Sequence, residues 1–96
     1  MHKYEFALIL DPNLDEDALK VEFEKVTALI TRFGGTVEKV DDWGKRRLAY
    51  EIGKKNEGYY YFITILTPPQ APREIEDRIR IMESVLRYLI VRIDEK

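Results

Sequence analysis

Residues 59–66 read YYYFITIL, and this run leaves the backbone little choice. Every residue in it is aromatic, β-branched or leucine. Such side chains favour an extended chain that turns alternate residues to opposite faces. Thr67-Pro68-Pro69 stops the run on one side, and GKKNEG at 53–58 reads as a turn on the other. A strand apolar on both faces belongs inside a sheet, with strands beside it and a covering layer above it. Ninety-six residues are one domain's worth of chain, so residues 1–96 must supply those neighbours from a single core.

The rest of the chain provides them in a definite order. Residues 3–10 alternate as a strand, with Tyr4, Phe6, Leu8 and Leu10 on one face and Lys3, Glu5, Ala7 and Ile9 on the other. Asp11-Pro12-Asn13 breaks it. Asp15 then caps a helix running to about Phe33, with Glu16 and Asp17 at its positive end and Leu19, Phe23, Val26, Ile30 and Phe33 on one stripe. Gly34-Gly35 ends that helix. A second strand covers 36–43, passes a bulge at Gly44 and resumes through Ile52. A second helix spans about 70–81, with Pro72 in its first turn and Ile75, Ile79 and Met82 facing inward. Residues 85–93 form the last strand. The order β-α-β-β-α-β predicts an α+β, ferredoxin-like domain, a four-stranded antiparallel sheet with both helices on one face.

Two helices cover one side of such a sheet. Parity sends Tyr4, Phe6, Leu8, Tyr59, Tyr61, Ile63, Ile65, Tyr88 and Ile90 toward them. It sends Ala7, Ile9, Tyr60, Phe62, Leu66, Leu89, Val91 and Ile93 to the open side. An apolar patch of that kind marks an interaction surface. Tyr60 and Phe62 are also spaced to stack bases, but GYYYFITI lacks the basic-glycine-aromatic signature of RNA-recognition domains. Protein docking is therefore the better reading of this face.

Charge adds a second feature. WGKRRLAYEI at 43–52 carries Lys45, Arg46 and Arg47 in succession, and a period of two sends Lys45 and Arg47 one way and Arg46 the other. Cations on a rigid strand suit a phosphate backbone. Equally, charge on an edge strand guards against association between sheets. Net charge is −2, so any nucleic-acid binding rests on a local patch rather than bulk charge.

Catalysis finds no materials. His2 at the terminus is the only histidine, Ser84 the only serine, and cysteine is absent. No nucleophile–base pair, metal-ligand spacing, cofactor site or phosphate-cradling glycine loop can be assembled from this inventory, and no small-molecule substrate is implied. No apolar run approaches the ~20 residues of a membrane span, and MHKYEF lacks a signal-peptide core, so a cytoplasmic protein is expected.

MHKYEFALILDPNLDE, GGTVEKVDDWGKRRLAYEI, GYYYFITIL and VLRYLIVRI, in that order, resemble the bacterial small-subunit ribosomal protein S6 family. The most specific piece is Gly44, Arg46, Arg47, Leu48, Ala49, Tyr50 and Ile52. The resemblance implies a ferredoxin-like fold and a structural role in the small ribosomal subunit. It implies two partners, ribosomal protein S18 and the central domain of small-subunit ribosomal RNA. The RNA-facing candidates it implies are His2, Lys3, Lys45, Arg46, Arg47 and Arg87, and Tyr60, Phe62, Leu89 and Val91 are the candidates for docking S18. His2 stands where the family often has arginine, which makes that contact pH-dependent. The competing expectations are a free-standing regulatory domain that dimerises through its open sheet, and an independent single-stranded RNA binder.

Overall fold

The computed structural model describes residues 1–52 and 55–93, with side chains described at all of these except 49–51. Its elements are β1 (His2–Leu10), α1 (Glu16–Arg32), β2 (Thr36–Ile52), β3 (Lys55–Thr67), α2 (Ala71–Ile79) and β4 (Val85–Arg92). The strands form one sheet in the order β2-β3-β1-β4, antiparallel at every neighbouring pair. That is the expected ferredoxin-like arrangement.

Local chemistry sets the ends of α1. The Asp15 Oδ1 accepts the Ala18 N–H at 2.8 Å. At the other end the Gly35 N–H donates to the Ile30 carbonyl at 2.8 Å and the Gly34 N–H to the Thr31 carbonyl at 3.0 Å. Gly34 has φ +88°, the left-handed turn this closing pattern requires.

The core lies between the sheet and the helices. Phe6, Leu8, Leu10, Ile63 and Ile65 rise from the sheet to meet Val26 and Ile30 of α1 and Ile75 and Ile79 of α2, all fully buried. Register explains why these residues coincide. Phe6 stands opposite Ile63 on β3 and Ile90 on β4, so one parity of three strands faces the helices together. The expected inward set holds throughout, with Tyr59, Tyr88 and Ile90 packed at its margin.

Two boundaries differ from the sequence expectation. Residues 53 and 54 of the expected turn lie outside the described residues. From Lys55 onward the chain is strand rather than turn, with Lys55 paired to Ile52. Tertiary partners extend it there: the Lys55 ammonium binds both oxygens of the Asp11 carboxylate at 3.0 and 3.1 Å. The second helix also stops at Ile79 instead of about Ile81. Met82 turns back to donate its N–H to the Ile79 carbonyl and packs on the core, which leaves Ile81 in solvent.

The Asp11–Lys55 bridge carries a pH prediction. The Asn13 N–H, donated to Asp11 Oδ1 at 2.9 Å, lowers the Asp11 pKa most; partial burial opposes it, and Lys55 lowers it further. A carboxyl whose pKa is depressed by folding stabilises the fold above its unfolded value of about 3.9. That contribution is lost as pH falls through the lower folded value. Asp11→Asn should therefore lower stability by about 0.5–1 kcal/mol at pH 7, with the difference from the parent shrinking toward pH 2. Urea midpoints at both pH values check this.

Candidate interaction surface

The sheet face away from the helices is organised in cross-strand rows. Phe62, Ala7 and Leu89 form one row, and Tyr60, Ile9 and Arg87 the next. Glu5 stands opposite Val91. The small Ala7 between Phe62 and Leu89 leaves a depression in the middle. Leu89 is 55% exposed and Val91 47%, while Tyr60 and Phe62 are half-buried with ring centres 6.4 Å apart. Both helices lie on the other side, so this apolar surface faces solvent.

One end of it is closed by the chain itself. Ile9, expected in the open, is on the predicted face but buried. Gly58 lies against both Ile9 and Leu48, so closely that a Cβ there would overlap the Ile9 Cγ2. Leu48 is itself buried, a contribution from β2 that the sequence reading missed. Its parity with Arg46 was the available signal. A groove of about 250 Å³ remains, lined by Ala7, Ile9, Leu48, Tyr60, Arg87 and Leu89 among others.

The expected bulge at Gly44 is present and shapes the next part of the surface. The β2–β3 register slips between Asp42 and Gly44, and Gly44 takes φ +71° while its N–H donates to the Asp42 Oδ1 at 2.9 Å. The extra residue is Trp43. Its ring meets Phe62 with centres 4.8 Å apart in an edge-on arrangement, although half of it stays exposed. The Arg46 guanidinium sits 5.4 Å over the Trp43 ring, and its Nε donates to the Trp43 carbonyl at 2.9 Å. Trp43 was not among the sequence candidates. On the core side of the same bulge, the Tyr61 phenol is pushed up to about 12, by burial first and then by the Asp42 and Tyr59 charges.

The remaining cations divide by register. Lys45 and Arg47 stand opposite Tyr59 and Glu57, on the helix side, while Arg46 stands opposite Gly58 on the open side. All are exposed. Lys45, Arg46 and Arg47 form no ion pair with a described carboxylate. Arg87 shares the open face but lies on the opposite edge strand, about 14 Å away across three strand spacings. His2 and Lys3 occupy the far end of β1, roughly 20–23 Å along the strand from Ile9. There the Lys3 ammonium pairs with Glu38 at 3.3 Å, and the His2 ring meets Tyr4 edge-on at 6.5 Å. The structure thus keeps Lys45–Arg47 on one edge strand but divides them between its two faces, sets Arg87 across the open face from Arg46, and keeps His2 and Lys3 apart.

Among the described residues no cluster of histidines and carboxylates fits a metal, and no helix is long and apolar enough to cross a membrane.

The chain and its fold have close counterparts among known proteins. The family model described as Ribosomal protein S6 matches residues 3–92. The small ribosomal subunit protein bS6 of Clostridium kluyveri is 50% identical over 96 residues, spanning all of both chains. That of Clostridium novyi (strain NT) is 48% identical over 91 residues, 95% of this chain and 96% of the other. The crystal structure of 30S ribosomal protein S6 from Thermotoga maritima aligns with a TM-score of 0.90 at 32% identity, covering 96% of this chain and 87% of that one.

Proposed function

The chain belongs to the ribosomal protein S6 family, and from that premise we propose that it is a structural constituent of the small ribosomal subunit that joins the RNA of the central domain together with ribosomal protein S18. It is a ribosome-associated, cytoplasmic protein and not an enzyme. One observation supports the division of labour: an apolar sheet face without helices is bordered along its β2 edge by Arg46, which, like Lys45 and Arg47 beside it on the strand, forms no ion pair with a described carboxylate. Tyr60, Phe62, Leu89 and Val91 receive S18. Lys45, Arg46 and Arg47 meet the phosphate backbone, with Arg87, Lys3 and His2 as further contacts, and they position the RNA rather than read its sequence.

The acidic balance fits this reading, because a protein that binds as a heterodimer can leave most of the positive charge to its partner. Filter binding to a central-domain RNA fragment tests it. Without S18 the chain should bind weakly, and with S18 strongly. Tight, steeply salt-dependent binding by the chain alone would overturn the reading and favour the independent RNA binder.

A further inference from the structure

The bulge at Gly44 does more than end a stretch of regular pairing. It inserts Trp43 between Asp42 and Gly44 so that the indole turns onto Phe62 on the open face, where regular alternation places Arg46 three residues later. The Arg46 side chain then meets Trp43 twice, once at its indole and once at its backbone carbonyl. The guanidinium lies over the indole, and its Nε is committed to the Trp43 carbonyl. A long, flexible arginine is thereby held at two points on a scaffold that Phe62 anchors from beneath.

We propose that Trp43 is a positioning residue for Arg46: it fixes the guanidinium at the border of the apolar face so that its remaining N–H donors receive a phosphate of the RNA backbone. The inference rests on the reading that Arg46 contacts RNA. Only the Nε is spent on Trp43, so the terminal nitrogens keep their donors, and an Arg fork suits two phosphate oxygens. A pre-organised fork loses less side-chain freedom on binding than a mobile one. The neighbours favour an anionic polymer over a single carboxylate of a protein partner. Lys45 and Arg47 flank Arg46 on the same edge strand, roughly 7 Å apart along it and exposed on its other face, and extend the positive charge around the strand past one contact point.

The experiment is a double-mutant cycle in the complex with S18, measured by filter binding to the RNA fragment over a KCl series. Arg46→Ala should weaken RNA binding about tenfold and flatten the salt slope by about one. Trp43→Leu should weaken it about threefold in the parent and have no effect in the Arg46→Ala background, because its influence passes through Arg46. Trp43→Phe, which restores an aromatic face, should recover most of the loss. Trp43 is half exposed, so these variants keep the fold, and circular dichroism verifies it. If the Trp43→Leu and Arg46→Ala effects add, positioning is overturned while Arg46 remains an RNA contact. If Arg46→Ala leaves RNA affinity and slope unchanged, the RNA reading of Arg46 fails, and positioning fails with it. Loss of S18 affinity in Trp43→Leu with RNA binding intact overturns positioning in favour of a protein-docking role.

Discussion

Leu89→Asp is expected to raise the Kd for S18 by about a hundredfold or more while leaving the chain folded. Leu89 is more than half exposed in the free protein, so a carboxylate there is solvated and costs the monomer little. Docking on the open face would take that charge out of water. Leu89 shares a row with Ala7 and Phe62 and no cation, Arg87 standing in the next row beside Ile9. An unpaired buried charge costs about 3–5 kcal/mol, which sets the scale of the expected loss. Titration calorimetry with S18 measures the affinity, and a thermal melt shows that the fold is kept. Unchanged S18 affinity would remove this face from the docking role. Sedimentation equilibrium addresses the remaining rival: a stable homodimer at micromolar concentration, broken by Leu89→Asp, would favour the self-associating regulatory domain.

Phe6→Ala should cost about 3–5 kcal/mol of folding stability. Phe6 is fully buried where β1 lies between Ile63 of β3 and Ile90 of β4, under both helices. Its removal leaves a cavity that three strands in fixed register cannot collapse to fill. For a domain of this size that loss lowers the melting temperature by at least about 12 °C. Leu89→Ala, on the opposite face, should change stability by less than about 0.5 kcal/mol. Urea denaturation of the two variants side by side tests the assignment of faces, because a one-residue slip in register would exchange their effects.

That assignment was legible in the residues because it rests on local geometry. Tyr4, Phe6 and Leu8 share a face in any extended chain, and Leu19, Val26 and Ile30 share one in any helix of that register. The cap at Asp15, the glycine stop at Gly34 and the bulge at Gly44 were readable for the same reason: each is settled within a few residues. The errors share one cause as well. Lys55–Gly58 looked like a turn because its polar composition is a turn's. Asp11 and Ile9, more than forty residues away, make it a strand. Leu48 passed unnoticed because its burial depends on the β2–β3 hairpin closing over β1.

The candidate site divides along the same line. Alternation alone separated Arg46 from Lys45 and Arg47 and placed Tyr60 with Phe62. Alternation could not say that Trp43 would meet Arg46, nor that Arg87 and the Lys3 end of β1 would stand far from both. The order of the elements, the inward residues and the presence of a bare apolar face were determined by the sequence alone, since each follows from how one segment turns its own side chains. The grouping of the cations, the closed end of that face and the seat of the Arg46 guanidinium were decided only by the tertiary structure. They depend on pairings between segments distant in the chain, and no local rule of backbone geometry contains those pairings.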